Sequence, residues 1–213
     1  QNEGHFIYPF GSSPDGGFEN EILNNNLHNN KFGILLEGSI ENTINKNNIT
    51  NLKNNSWAIK LNVSSNGNTI VWCPGGSTMH YSSDNGLNWQ ASAGAGSNLK
   101  PVSDRVNALK FYIYDALNGR LLISTDRGAS FTVTNSGLPS VPDWQSGDAS
   151  IRTVYGREGH IWLAVPGGLY RSVNSGADFG KISNVEDGGR VGFGRALPGN
   201  DYPAIYLSGK VNG

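Results

Sequence analysis

An eight-residue pattern occurs three times in the second half of this 213-residue chain and limits its fold more than any other feature. The pattern is Ser-x-Asp-x-Gly-x-x-aromatic, with Asn replacing Asp in the third copy. The carboxylate can accept backbone N–H groups across a tight turn, and the glycine can adopt a positive φ. We call residues 82–89, 124–131 and 172–179 the first, second and third motif turns. The residues expected to build them are Ser82, Asp84, Gly86, Trp89, Ser124, Asp126, Gly128, Phe131, Ser172, Asn174, Gly176 and Phe179.

Strand patterns flank each motif turn. Before the second turn, Phe111 and Ile113 alternate with Tyr112 and Tyr114, which is the period of a β-strand. The three copies begin 42 and then 48 residues apart, a spacing typical of four-stranded propeller blades. The sequence therefore predicts about three antiparallel units, one around each motif turn.

A different repeat precedes these units. About a third of residues 20–68 are asparagine. The tripeptide Asn-x-Ile ends at Ile22 and again at Ile44, and Asn-Asn is followed by Leu27 and then by Ile49. Asparagine suits tight turns, and the period matches one coil of a parallel β-helix. We predict parallel pairing that places Ile22 opposite Ile44 and Leu27 opposite Ile49.

The asparagine-rich segment resembles the right-handed parallel β-helix repeats of the NosD and pectin-lyase-like families. The pentapeptides that begin at Phe32 and Trp57 also match each other. This resemblance implies about two coils in a first domain, residues 1–68. We expect propeller blades in residues 69–213, with antiparallel pairing from Ile70 onward, because the spacing of strands and tight turns leaves no room for a parallel crossover. An asparagine-rich linker is the alternative for this segment. The expected fold is all-β, with incomplete propeller blades preceded by β-helix coils.

The motif of the three turns is the Asp box, and its flanking residues resemble glycoside hydrolase family 74. The matching segments are Ser-Asp-Arg-Val-Asn at 103–107, Ile-Trp-Leu-Ala at 161–164, and a glycine- and aromatic-rich stretch at 191–206. The resemblance covers residues 70–213. It implies part of a secreted, xyloglucan-active endo-β-1,4-glucanase built from two seven-bladed propellers, with plant-type β-glucan or xyloglucan as its polysaccharide partner.

The same resemblance implies a catalytic pair of aspartates, but the motifs that surround them in the family are not found here. Inverting hydrolysis needs two carboxyl groups about 6.5–9.5 Å apart on opposite sides of the scissile bond. We therefore expect the chain alone to be catalytically incomplete. Further blades would have to come from additional chain, because three cannot close a seven-bladed ring.

A candidate sugar-binding position lies in the long connection 136–149. Trp144 stands there between Asp143 and Asp148, on the face expected to lie opposite the motif turns. An exposed tryptophan can stack on a sugar ring while carboxylates bind its hydroxyl groups. The alternatives are that Trp144 covers a junction between blades and that the two aspartates only hydrogen-bond within the loop.

Composition and spacing argue against several other classes. A net charge of −1 does not suit a nucleic-acid-binding domain, and no apolar run is long enough to span a membrane. The lone Cys73 cannot form an internal disulfide. The motif turns lack the oxygen ligands of a calcium loop, so we expect no metal and no cofactor. Four histidines share no metal or triad spacing: His5, His28, His80 and His160.

Together these features predict part of a secreted carbohydrate-active protein related to xyloglucan-specific endoglucanases. A non-catalytic extracellular module that binds glycans or serves as a scaffold is an alternative, because β-helices and propeller blades both occur as scaffolds. A fused or composite sequence is a third explanation for the change of composition near residue 68.

Overall fold

The computed structural model describes residues 60–74 and 77–212, together with the backbone of four short strands between residues 20 and 50. The predicted match between the segments at Phe32 and Trp57 falls largely outside these residues, as does His5. Within the part described, no helix has the length and apolar character needed to cross a membrane.

The four short strands form two parallel pairs. They are β1 (Asn20–Leu23), β2 (Asn26–His28), β3 (Asn42–Asn45) and β4 (Asn48–Thr50). Strand β1 pairs with β3 so that Ile22 lies opposite Ile44, and β2 pairs with β4 so that Leu27 lies opposite Ile49. The parallel register predicted from the asparagine-rich repeat is confirmed for these two pairs.

Three four-stranded antiparallel sheets follow, each formed by strands consecutive in the chain. The first contains β5 (Lys60–Val63), β6 (Ile70–Cys73), β7 (His80–Ser82) and β8 (Gln90–Ala91). The second contains β9 (Pro101–Ser103), β10 (Phe111–Asp115), β11 (Arg120–Ser124) and β12 (Thr132–Asn135). The third contains β13 (Ser150–Thr153), β14 (Ile161–Val165), β15 (Gly168–Ser172) and β16 (Gly180–Lys181). Strands β17 (Val185–Gly194) and β18 (Ala204–Val211) form a final antiparallel pair.

Antiparallel pairing begins earlier than predicted, at Lys60 instead of Ile70. Strand β5 pairs with β6, with Val63 opposite Ile70. A tight turn closed by the N–H of Ser64 on the carbonyl of Thr69, 2.9 Å away, connects the two strands. The sequence places Lys60 in the asparagine-rich repeat, because alternating apolar residues look alike in parallel and antiparallel strands. The first residues of the first sheet therefore lie before the composition change.

Alternate residues of the central strands face different neighbouring sheets. In β10, Phe111 and Ile113 pack with the first sheet, whereas Tyr112 and Tyr114 pack with the third. All five residues of β10 are buried, so both faces of the second sheet lie in apolar layers. The predicted alternation is confirmed. The apolar layer between the first and second sheets contains Val71, Cys73, Met79, Phe111, Ile113, Leu122 and Phe131.

Another apolar layer joins the third sheet to the final strand pair. It contains Val154, Trp162, Ala164, Leu169, Val185 and Val191.

The first strands of the three sheets are joined through the backbone of one residue, Ser103. The backbone N–H of Ser103 donates to the side-chain oxygen of Asn62 at 3.0 Å, and its carbonyl accepts the hydroxyl of Thr153 at 2.7 Å. Asn62 lies in the first sheet and Thr153 in the third. All three residues are buried, so these hydrogen bonds hold consecutive sheets in register where water cannot replace them.

Replacing Asn62 with Ala should lower the free energy of unfolding by about 1–3 kcal/mol, because the buried N–H of Ser103 loses its acceptor. Urea denaturation followed by tryptophan fluorescence measures this change. The exposed Asn200→Ala serves as the matched control, with an expected change below about 0.5 kcal/mol. Equal effects of the two substitutions would contradict the role assigned to Asn62.

Candidate functional site

Each motif turn is closed by hydrogen bonds from its serine and its acidic or amide residue. In the first turn, the hydroxyl of Ser82 donates to Asp84 at 2.7 Å and accepts the N–H of Gly86 at 2.8 Å. Asp84 accepts the backbone N–H of Asn88 at 2.9 Å and its side-chain amide at 2.7 Å. Two side chains thus satisfy the backbone donors of the hairpin.

The other two turns repeat this arrangement. In the second, Asp126 accepts the backbone N–H of Ser130 at 2.9 Å and its hydroxyl at 2.6 Å. In the third, Asn174 accepts the backbone N–H of Asp178 at 3.1 Å, and its amide donates to the Asp178 carboxylate at 3.0 Å. Asn174 thus stands where the first turn has Asp84, and Asp178 stands where it has Asn88. The same two positions remain hydrogen-bonded.

The backbone of the motif turns is left-handed at two successive residues. Asn85, Arg127 and Ser175 have φ values of 60°, 65° and 60°, and the glycine that follows each has a φ of 83° or 84°. Positive φ at both central residues is the geometry of the type I′ hairpin turn, which favours glycine at the second position. The glycines of the three motif turns therefore adopt the positive φ for which the sequence selects them.

Hydrogen bonding lowers the pKa of the motif carboxylates. The pKa of Asp84 falls to about 2 because the backbone and side-chain N–H groups of Asn88 and the hydroxyl of Ser82 bind the ionised form. For Asp126, burial opposes ionisation, but hydrogen bonds from Ser130 and Ser124 outweigh it and lower the pKa. Both carboxylates are thus held as hydrogen-bond acceptors in the folded chain.

Removing the serine hydroxyl of a motif turn should cost more than removing its carboxylate. Ser124→Ala leaves the N–H of the buried Gly128 without its acceptor, at a cost of about 1–3 kcal/mol. Asp126→Ala releases the N–H of Ser130 at an exposed site, where water can replace the carboxylate, and should cost about 1 kcal/mol. Urea denaturation measures both changes.

Asp126→Asn is the control for this comparison, since Asn174 forms the same backbone hydrogen bond in the third turn. We expect it to retain most of the stability that Asp126→Ala loses. An Asn variant as unstable as the Ala variant would show that negative charge, instead of an oxygen acceptor, stabilises the turn.

Asp84 should titrate in the folded chain near pH 2. Its folded pKa lies below the ordinary value of 3.8, so its stabilising contribution is complete above that value and is lost as the pH falls toward 2. Carboxyl-carbon NMR measures the pKa. Asn88→Ala removes one of its donors and should move the pKa upward, and an unchanged value would contradict the hydrogen-bond explanation.

The motif turns share one face of the molecule with the turns that join the first two strands of each sheet. We call this the turn face. The carboxylate of Asp104 is fully buried there, between the second and third sheets. It accepts the N–H groups of Val106 and Asn107 at 2.8 and 2.9 Å, that of Gly159 at 2.8 Å, and the hydroxyl of Tyr112 at 3.0 Å. Four donors from two sheets satisfy it, and its position is structural.

The candidate sugar-binding residues lie on the opposite face. Strands alternate in direction, so segments that lead from the fourth strand of one sheet to the first strand of the next emerge away from the motif turns. Segment 136–149 is anchored by the buried Leu138 and Val141, whose N–H groups donate to Gly119 and Ala116 at 3.0 and 2.7 Å. Beyond these anchors, Asp143, Trp144 and Gly147 are exposed to solvent.

This segment contains a six-residue 3₁₀ turn, Asp143–Asp148, which brings all three predicted residues together. Trp144 is 80% exposed and therefore does not cover a junction between the sheets that the structure describes. Asp143 is also exposed, and its carbonyl accepts the hydroxyl of Ser146 at 2.7 Å. An exposed indole beside a carboxylate can stack on a sugar ring and bind its hydroxyls.

Two cations that the sequence analysis did not select lie beside this turn. Arg190 of β17 donates to the carbonyl of Gly147 at 2.7 Å. Lys60 of β5 donates to the carbonyl of Asn98, and its ammonium interacts electrostatically with Asp143. Burial lowers the pKa of Lys60, and the Asp143 charge acts in the opposite direction. Both cations lie far from Trp144 in sequence, and only the order of the strands could have indicated them.

The remaining candidate groups show no catalytic arrangement in the described residues. Cys73 is buried, which raises the pKa of its thiol, and its sulfur lies 3.9 Å from the carbonyl of Ser77. His80 contacts the carbonyl of Thr78 at 2.9 Å. Burial, with Arg171 and Arg157 nearby, lowers the pKa of His160. Among the residues with described side chains, no three potential ligands converge on a metal position.

Comparison with known proteins connects this fold to one class of enzymes. No protein-family model matches the chain. A xyloglucanase of Paenibacillus sp. is 40% identical over 158 residues, which is 71% of this chain and 15% of that enzyme. Xyloglucanase Xgh74A of Acetivibrio thermocellus is 41% identical over 151 residues, covering 70% of this chain and 17% of the enzyme.

A solved structure shows the same relationship. The GH74 enzyme of Niastella koreensis superposes with a TM-score of 0.63 at 41% sequence identity, covering 72% of this chain and 22% of that structure. This chain is therefore GH74-like over most of its length, with a propeller-like all-β fold, and corresponds to only part of the enzymes it resembles. The predicted resemblance to glycoside hydrolase family 74 is confirmed in that respect.

Proposed function

We propose that this chain is a partial propeller of a xyloglucan-degrading enzyme and that it binds plant-type β-glucan on the face opposite the motif turns. The observation that carries this proposal is the 3₁₀ turn, which exposes Trp144 beside Asp143 in the chain and whose Gly147 carbonyl accepts a hydrogen bond from Arg190. Lys60 interacts electrostatically with Asp143 of the same turn. The similarity to xyloglucanases supports xyloglucan as the polysaccharide. Asp148 is assigned to the same subsite from its backbone position in the turn.

The chain's contribution is binding, with hydrolysis dependent on residues outside it. Asp143 and Asp148 belong to one short turn, whereas inverting hydrolysis needs carboxyl groups on opposite sides of the scissile bond. The covered share of the xyloglucanases, 15% and 17%, leaves most of such an enzyme to other chain segments. Further propeller blades would supply them.

Several properties of the protein accompany this function. We infer that it acts outside the cell, where plant polysaccharides occur, and that nucleic acids and membranes are not its partners.

The motif turns are structural Asp boxes, which their hydrogen bonds support. The asparagine-rich segment forms about two β-helix coils of the NosD and pectin-lyase-like type, which the parallel pairs support. The division between the two parts lies nearer residue 60 than residue 68.

Binding should depend on Trp144. Titration of the 213-residue chain with xyloglucan oligosaccharides by isothermal calorimetry should give saturable binding, and Trp144→Ala should weaken it about tenfold, the loss of roughly 1.4 kcal/mol of stacking and burial. Tyr155→Ala is the matched control, since Tyr155 is 51% exposed on the turn face and should leave binding unchanged.

The same samples test the division between binding and hydrolysis. We expect no steady release of reducing ends from xyloglucan by the purified chain. Release of reducing ends that is abolished by Asp143→Asn would contradict the binding-only role. In the calorimetric titrations, equal losses of binding in the Trp144→Ala and Tyr155→Ala variants would contradict the placement of the sugar site.

A further inference from the structure

A cluster of aromatic and basic side chains joins the third sheet to the final strand pair on the turn face. Arg157 and His160 belong to the turn between β13 and β14, Trp162 belongs to β14, and Arg171 belongs to β15. Tyr202 lies in the connection between β17 and β18. We call these five residues the Tyr202 cluster. The proposed sugar site lies on the opposite face and uses none of them.

The ring of Tyr202 contacts two guanidinium groups. The guanidinium carbon of Arg171 lies 4.8 Å from the centroid of this ring, and that of Arg157 lies 5.9 Å from it. Arg171 also lies over the ring of Trp162, 5.6 Å from its centroid. A cation over an aromatic face is attracted by the quadrupole of the ring. These contacts help to attach connection 195–203 to the third sheet.

The hydroxyl of Tyr202 lies between two nitrogen atoms. Its oxygen accepts the indole N–H of Trp162 at 3.0 Å, and it lies 3.4 Å from Nδ1 of His160. An indole nitrogen can only donate, so the hydroxyl proton of Tyr202 is available to a second partner. Nδ1 of neutral His160 can accept that proton when the imidazole proton is on Nε2. Protonated His160 carries hydrogen on both nitrogens and cannot accept it.

The surroundings of His160 oppose a positive charge. Burial lowers the pKa of this imidazole, and the charges of Arg171 and Arg157 lower it further. The buried carboxylate of Asp104, next to β9, acts in the opposite direction, but its four donors already satisfy it. Protonation therefore places a third cation beside two arginines and removes an acceptor from Tyr202.

Two further carboxylates near the cluster are already paired with cations. Glu158, in the same turn as His160, forms an ion pair at 2.7 Å with Lys110 beside β10. Asp201, next to Tyr202 in the chain, forms an ion pair with Arg157 at 2.5 Å. An imidazolium would have to compete with these cations for a counter-charge.

We propose that protonation of His160 releases Tyr202 and connection 195–203 from the third sheet, which makes this contact a pH-sensitive switch. The neutral imidazole holds the Tyr202 hydroxyl, and the charged imidazole repels the arginines that contact its ring. The buried residues of the adjacent apolar layer do not titrate, so the third sheet and the final strand pair stay packed while the connection opens.

Attachment of connection 195–203 should weaken as the pH falls. Above the ordinary histidine pKa of 6.5, His160 is neutral whether the connection is attached or released. Below 6.5, the released state binds the proton first, because its imidazole is solvated and free of the two arginines. Attachment is therefore complete above pH 6.5 and is lost progressively as the pH falls toward the lowered pKa of the attached state.

Solvent exchange of the indole N–H of Trp162 tests the switch, because this N–H binds Tyr202 and the residue is only 5% exposed. NMR of the full 213-residue chain can follow this exchange between about pH 8 and pH 5, the range in which histidine changes charge. At the acidic end, the wild-type chain should exchange several-fold faster than His160→Gln, which keeps an acceptor and carries no charge. At the alkaline end, the two should exchange alike. Comparison at equal pH removes the intrinsic pH dependence of exchange.

His80→Gln is the matched control, because His80 lies in β7 of the first sheet, and this variant should behave like the wild type. The indole N–H of Trp89, bonded within the first motif turn at 3.0 Å, should exchange equally in all variants. Tyr202→Phe keeps the ring but lacks the hydroxyl, so exchange at Trp162 should no longer follow the charge of His160.

Equal exchange of the Trp162 N–H in the wild type and in His160→Gln at acidic pH would overturn the proposal. If His160→Gln does not fold, the wild-type chain decides. Exchange at Trp162 that does not accelerate relative to Trp89 while the His160 ring protons titrate would overturn the proposal. Acceleration at Trp89 together with Trp162 would show opening of the whole fold and would overturn it as well.

Discussion

Every inner sheet of this protein has two apolar faces, and the rest of the structure depends on covering both. The second sheet shows this most clearly, because all five residues of β10 are buried. Such a sheet cannot leave one face in water, so its stability requires a sheet on each side. Consecutive hairpins meet this requirement because they place the next strands of the chain directly beside the sheet just formed.

Close approach of the sheets explains the form of the motif turns. Gly128 and Gly176 lie against branched side chains of the preceding sheet, and any Cβ there would overlap them. The same glycines need positive φ for the hairpin, so one residue type satisfies both the turn and the packing. Ser124 and its counterparts then supply the acceptor that a buried glycine N–H requires.

Features that arise from local chemistry could be predicted from the sequence, and features that depend on distant contacts could not. The motif turns were predictable because their hydrogen bonds link residues within an eight-residue segment. The sequence predicts the wrong repeat for β5, since Lys60–Val63 alternates in a way that suits either kind of pairing. The sequence indicates Trp144 as an exposed aromatic residue but gives no sign of Lys60, because only the order of the strands lets the first residue of β5 interact electrostatically with Asp143, far along the chain.

Residues on the two faces of the molecule therefore differ in how freely they can be substituted without loss of contacts between sheets. On the turn face, polar groups are engaged in hydrogen bonds that hold the sheets together. Asp104 shows this, because its carboxylate accepts four donors from two sheets. On the opposite face, segment 136–149 is held by the buried Leu138 and Val141 and by the hydrogen bond from Arg190 to Gly147. Asp143 and Trp144, between these anchors, are exposed. A side chain there can change without loss of a sheet-to-sheet contact, so a binding surface built around Trp144 can be adapted to its glycan while the sheets stay as they are.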